Sequence, residues 1–317
     1  MSVVAGVSRR LLTLLVSAAA ASVVVFAFMQ VLPGDPVRVA LGINATEESV
    51  AALRASYGLD RPLPVQYVDW MRGLVTFDLG RSYLSGAEIG PQIAGRLGVS
   101  LWLVGAGILI ALGIAVPLGT IAAVRHRNAD GAAVSALSQV GIAIPAFLAG
   151  ILLVAVFAVN LRWLPAGGWV PPERDVAAFL RHLALPALSL GLVQAAVLTR
   201  YVRTAVLEVW REDYIRTARA KGLTKPRLVV RHALRNAAIP VVTVLGLQLS
   251  TLLIGSVVIE RVFVLPGLGS LLLDAVGQRD LLMVQDVVMV LVVLVLLINT
   301  IVDLLYGFID PRIRVSS

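Results

Sequence analysis

The residues best suited to act on something outside the chain are ten cations between Arg200 and Pro240. They are Arg200, Arg203, Arg211, Arg216, Arg219, Lys221, Lys225, Arg227, Arg231 and Arg235, opposed only by Glu208, Glu212 and Asp213. The chemistry open to such a cluster is polar contact, either with anionic lipid headgroups or with a docked cytoplasmic partner. Catalysis is a poor fit. The sequence has no His-Glu-x-x-His, no Gly-x-Ser-x-Gly and no paired carboxylates in an apolar run. Its two lysines, Lys221 and Lys225, precede Gly and Pro. A P-loop needs Lys followed by Ser or Thr to hold phosphate and Mg²⁺, so the chain brings no Walker-type ATPase. There is no Cys, hence no thiolate metal site, and His126, His182 and His232 are far apart in sequence.

A second set is neutral. Ser138, Gln139, Gln194, Gln248, Ser250, Thr251 and Asn299 interrupt long apolar runs. Such groups either hydrogen-bond between helices, worth about 0.6 kcal/mol each, or line a polar, uncharged path. Gln139, Gln194, Gln248, Ser250 and Thr251 are the candidates for that path. The central parts of these runs hold no ionisable side chain, and Glu260, Asp286 and Asp303 fall near their expected ends. Ion-coupled transporters keep buried Asp, Glu or His for coupling, so a proton- or sodium-driven carrier is disfavoured.

The elements that must position these residues are membrane helices. The chain is 317 residues and 58% hydrophobic, with a mean hydropathy of +0.89, which places it among integral membrane proteins. Six spans are expected, at about 11–32, 99–124, 131–160, 182–201, 237–259 and 281–305. The first follows Arg9 and Arg10. It is long enough to cross, where signal-peptide cores are shorter, so it is expected to be a retained helix. Pro145 should kink the third span, and Gly105, Gly107, Gly113 and Gly119 should let the second approach a neighbour closely. Residues 33–98 form a helical segment. Thr46 can cap a helix from Glu47 to Tyr57 closed by Gly58, and Pro62 and Pro64 precede another ending near Gly73. The division is thus 1–32, an N-terminus and first helix; 33–98, an extracytoplasmic helical segment; and 99–317, a core of five spans with a basic loop at 202–236.

Within that loop, apolar residues recur at helical spacing from Val202 through Trp210, Tyr214 and Ile215 to Ala218, and Gly222 breaks the run. A second short helix is expected from Arg227 to Asn236. Sidedness follows the cations. Sixteen of the 27 Lys and Arg and 6 of the 19 acids fall on the loop side, giving +10 there and −2 opposite. That distribution argues against nucleic acid and for both termini in the cytoplasm.

The order Tyr214-Ile215-Arg216-Thr217-Ala218-Arg219-Ala220-Lys221-Gly222-Leu223, with Arg231-His232-Ala233-Leu234 and Pro240 beyond, resembles the EAA loop of ABC-importer permeases, and most of all their peptide and nickel branch. Arg216 and Thr217 stand where the general pattern has Glu and Ala, and Arg235 where Pro is common; these departures look like the peptide branch. So do Leu32-Pro33-Gly34-Asp35-Pro36, the stretches Gly58 to Trp70 and Asp78 to Tyr83, the turn Val264-Leu265-Pro266-Gly267-Leu268-Gly269, and the tail Asp303 to Gly307 with Asp310 to Arg314.

The resemblance implies an all-α, type I importer permease of the bacterial inner membrane for di- or oligopeptides, with nickel chelates as the alternative substrate. It also implies a homologous permease, two ABC ATPases carrying ATP and Mg, and an extracytoplasmic binding protein as partners. Tyr214, Arg216, Thr217, Ala218, Arg219, Ala220, Lys221, Gly222, Leu223 and Arg227 would then couple to an ATPase. Leu265, Pro266, Gly267, Leu268 and Gly269 would face a docked binding protein or the translocation mouth; without the resemblance they read as a tight turn. The chain itself would bind no cofactor or metal and catalyse nothing. The rival from residues alone is a membrane scaffold whose basic hairpin reads lipid headgroups.

Overall fold

The computed structural model describes residues 3–31, 35–42 and 45–309. Their regular structure is helical: α1 (Val3–Val31), α2 (Pro36–Leu41), α3 (Glu47–Ser56), α4 (Leu63–Thr76), α5 (Ile89–Val124), α6 (Ala129–Ala143), α7 (Ala146–Leu153), α8 (Val176–Trp210), α9 (Asp213–Ala220), α10 (Lys225–Leu228), α11 (Arg235–Val262), α12 (Leu268–Gln278) and α13 (Leu281–Ile309). π-helical turns follow α7, at Val154–Asn160, and α10, at Val229–Leu234. Five stretches are long and apolar enough to cross a membrane: Val7–Val31, Ile89–Val124, Val176–Trp210, Lys225–Val262 and Leu281–Leu304.

The expected third span is not one rod. Ala129–Ala143 and Ala146–Asn160 meet at 99°. Pro145, in extended backbone (φ −62°, ψ 141°), caps the second arm, and its ring denies the preceding residue the helical basin. The kink foreseen at Pro145 is therefore a corner.

The basic stretch departs from expectation twice. Its apolar spacing suggested one helix to Ala218, but the chain turns at Arg211 and Glu212, so Trp210 ends α8 and Tyr214 belongs to α9. The helix expected at Arg227–Asn236 is present, but it is not separate from the span that follows. From Lys225, with Pro226 in the first turn where its missing N–H costs nothing, the chain stays helical through the π turn into α11. Nothing between them breaks a helix, so the apolar run alone understated where the rod begins.

Other helices also outrun their apolar cores. α5 begins ten residues before Val99, because Ile89 and Ile93 are buried. α8 starts at Val176, where the Asp175 carboxylate accepts from the Ala178 amide at 3.0 Å. The caps of the 33–98 segment match closely. Thr46 and Ser49 form a reciprocal capping box for α3, and Gly58 follows with φ +67°. α4 runs three residues past Gly73 and ends on Phe77 at φ 60°. Of the motif at 32–36, only Asp35 and Pro36 are described; Asp35 caps α2 by accepting from Val37 at 3.1 Å. The tail motif at 310–314 lies outside the described residues.

Packing groups the chain into two units, one of Leu101–Leu265 with the described parts of 1–7 and 298–317, the other of Ser8–Ser100 with Pro266–Leu297. In the first, Ala123, Val202, Ala205, Val206, Ala233 and Ala237 form a core against which Trp210, Leu207 and Leu234 pack. Gly107 and Gly119 press against α8, where a Cβ on Gly119 would lie 2.7 Å from Val202; Gly105 and Gly113 face open space. In the second, Met29, Ile89, Ile93, Leu268, Leu271, Ala275, Met283, Val284 and Val287 make the core.

Candidate functional site

Ten sequence-selected residues fall on one helix–turn element that projects its polar atoms outward. α9 is strongly two-faced. Ile215 is fully buried and Ala218 nearly so, while Tyr214, Arg216, Thr217, Arg219 and Ala220 are exposed. The Arg219 guanidinium lies 5.3 Å from the Trp210 ring centroid, and Asn236 donates to the Tyr214 hydroxyl at 2.8 Å. These two contacts hold α9 against the ends of α8 and α11. Arg216 reaches Asp213 at 3.4 Å, but both are exposed and such a pair is worth little.

Gly222 closes the element. Its φ is +85°, and a Cβ there would meet nothing within 4 Å. Its amide donates to Arg219 O at 3.0 Å and the Leu223 amide to Ala218 O at 3.3 Å, so the last carbonyls of α9 are satisfied as in a glycine C-cap. Any other residue would pay left-handed strain of about 1–2 kcal/mol without a clash. Lys221, Gly222 and Arg227 are exposed and Leu223 is half-buried, so the turn presents charge at its tip.

The five path candidates are not gathered by hydrogen bonds. Gln139 on α6 and Thr251 on α11 are exposed, and Thr251 bonds back to Leu247 O at 3.2 Å. Gln248 is half-buried. Ser250 donates to Asn299 Oδ1 on α13 at 3.2 Å, the interhelical role foreseen as the alternative. Gln194 on α8 is buried, and its Nε2 has no hydrogen-bond partner among the described residues. Ser138 is buried but bonds locally, to Ser135 O.

Of the five residues in the Leu-Pro-Gly-Leu-Gly turn, Leu265, Gly267, Leu268 and Gly269 are buried and Pro266 is exposed. The Leu268 amide donates to Ser100 Oγ at 2.9 Å. The exposed tip also includes the first residue of the turn motif, which was not among the five contact candidates. Val264 is 75% exposed with φ 52°, a left-handed conformation that a β-branched side chain rarely adopts. Its neighbour Phe263 is fully buried, and Phe263 O accepts from the Gly168 amide at 2.8 Å. Holding such a conformation costs about 1–3 kcal/mol.

Sequence reading also missed a buried polar anchor. Asp286, expected near the end of its span, is fully buried in α13 and accepts from Trp70 Nε1 at 2.8 Å. Asp280, also buried, accepts from Ser82 Oγ. Tyr83 lies beside both, and burial first, then the two carboxylates, pushes its phenol up to about 12. Glu260 is fully buried as well, in the last turn of α11.

Comparison with known proteins now decides what carries this element. Residues 115–315 match the model of the binding-protein-dependent transport system inner membrane component, and residues 4–101 match the N-terminal model of the same systems. The chain belongs to this family. It is a permease component of the ABC-importer type, a multi-pass protein of the inner membrane. A Brucella ovis protein named a peptide permease is 43% identical over 302 residues, covering 94% of this chain and 95% of its own. The glutathione transport system permease protein GsiC of Salmonella choleraesuis is 41% identical over 309 residues, covering 97% and 98%. A solved chain of the MetNI methionine ABC transporter, in an inward-facing conformation, superposes with a TM-score of 0.58 at 21% identity. It covers 69% of this permease and 96% of itself, and the likeness establishes the type I permease fold. A permease component moves solute and leaves hydrolysis to the ATPase of its system.

Proposed function

We propose that this permease imports di- or oligopeptides, forming half of the path beside a homologous permease and being driven by two ABC ATPases that carry the ATP and Mg. The observation that carries the substrate class is identity of 41–43%, over nearly the full chain, to permeases named for peptide and for glutathione, itself a peptide. Neutral polar groups in the spans agree with a path that passes zwitterions without holding them. In this reading both termini and the basic element are cytoplasmic, 33–98 is an extracytoplasmic cap, and 99–317 is the transport core.

The exposed face of α9 and the tip at Lys221, Gly222 and Arg227 enter a groove on one ATPase, while Ala218 and Ile215 hold the element to the spans. ATP-driven closure of the ATPase pair then pushes the element and switches the spans between two packings. A loaded binding protein meets the opposite side, at Pro266 and Val264. Gln139, Gln194, Gln248, Ser250 and Thr251 serve the path, Gln194 with an amide free for a passing carbonyl.

Two measurements test this. Affinity purification of the chain should bring down a second permease and P-loop ATPase subunits; purification alone would favour a scaffold. In a deletion strain complemented with the chain, labelled dipeptide should accumulate and labelled nickel should not. The reverse pattern would assign the metal-chelate role instead.

A further inference from the structure

Helix α4 carries apolar residues on the face a water-soluble cap would keep polar. Its inner side is occupied. Tyr67 and Trp70 pack on Phe26 of α1, with ring centroids 5.4 and 6.0 Å away, and the Tyr67 hydroxyl shares a 2.8 Å hydrogen bond with Ser22 of α1. The outer side is bare. Val68 is 61% exposed, Val75 is 74% exposed and Phe77, just past the helix, is 87% exposed. Val68 and Val75 are seven residues apart and share one stripe. Asp69 and Thr76 lie about 100° further round, and Asp69 pairs with Arg61 at 3.0 Å. The exposed face therefore has an apolar edge and a charged edge.

The depth of this helix follows from α1. Arg9 and Arg10 mark one border of the first span, and about 20 residues complete a crossing, which sets the other border near Gln30. At 1.5 Å per residue, Ser22 and Phe26 lie about 12 and 6 Å short of that border. α4 thus meets α1 within the thickness of a leaflet. At the same level α1 itself exposes Val23, Val24 and Phe28. The arithmetic holds whichever side of the membrane is involved.

We infer that α4 is an interfacial helix seated in the leaflet around the Val31 end of α1, and that its occupant is phospholipid. Val68 and Val75 face acyl chains, Phe77 is buried in the same layer, and Arg72 and the Arg61–Asp69 pair lie at headgroup level. An amphipathic helix gains its membrane affinity from this split of apolar and charged edges. Tyr67 and Trp70, with polar atoms engaged inward, tie it to the span.

The chain has no Cys, so a single introduced thiol gives one label per molecule. Val68→Cys, Asp69→Cys and Val75→Cys, nitroxide-labelled in the assembled transporter in phospholipid nanodiscs, are read by relaxation with oxygen and with chromium oxalate. The oxygen-to-chromium accessibility ratio should be several-fold higher at 68 and 75 than at 69. Equal access of chromium oxalate to all three positions would put the helix in water and overturn the inference. Shielding of 68 and 75 from both reagents would overturn it too, since a protein would then cover the stripe. All three positions are exposed, so the labels leave the fold intact.

Discussion

Around Gly222 the charged side chains point outward and barely touch one another. Around Asp280 and Asp286 the polar groups are buried and bonded to partners 198 and 216 residues away in sequence. The first arrangement leaves its charge for something else to meet. The second turns its hydrogen bonds inward, tying the 77–88 loop and α4 to Asp280 and α13, with Asp286 Oδ2 buried and unpartnered among the described residues. Two polar clusters of one chain thus have opposite destinies, set by burial rather than by composition.

Four experiments would break or sharpen this contrast. The largest effect is expected from Gly222→Leu. Its side chain meets open space and costs only the left-handed strain of about 1–2 kcal/mol, so insertion should stay normal and the melting temperature fall modestly while uptake of labelled dipeptide is lost; normal uptake would remove the element from coupling. Next is Trp70→Phe, which keeps the ring packing and deletes the donor to Asp286. Leaving a buried acceptor unsatisfied costs about 1–3 kcal/mol, visible as a lower melting temperature in detergent. Asp286→Asn should recover part of it, and an unchanged melting curve would show that the anchor is not structural.

Third is a pH effect at Tyr83. Its phenol has a raised pKa in the folded chain, so the folded state holds its proton longer than the unfolded one. The stability tied to this group is intact below pH 10 and is lost as pH rises from 10 to about 12. Tyr83→Phe should flatten that window in an alkaline melting series. The smallest effect belongs to Arg216→Ala, whose exposed pair with Asp213 should contribute less than about 0.5 kcal/mol to stability. Any loss should appear in ATPase recovery on co-purification, not in melting.

What the sequence disclosed follows the same contrast. The basic element was legible because charge runs, a glycine stop and helical spacing are local signals, and Thr46, Gly58 and Pro145 announced their roles for the same reason. The break at Arg211 and Glu212 was not, because both residues tolerate a helix and only packing of Ile215 and Trp210 decides the turn. The bond between Trp70 and Asp286 could not be read at all, since neither residue signals a partner so distant. Val264 was quoted in the turn but left out of its contact candidates, because a strained φ leaves no mark in composition. The sequence offered α4 only as a helix ending near Gly73, and its apolar edge stood out only when Phe26 and Ser22 were found on the other side.

The right-angled corner at Pro145 also governs an arithmetic of the whole chain. Each arm of that corner is 15 residues, a rise of about 22 Å, short of the roughly 30 Å hydrocarbon layer. Neither arm can traverse it alone, so the pair counts jointly as one crossing or as none. Counted as one, the crossings total six; counted as none, five, and everything after residue 160 changes sides. An odd total would part the ten cations between Arg200 and Pro240 from Arg9 and Arg10, so the proposed reading, with all of them on one side, takes the pair as one crossing.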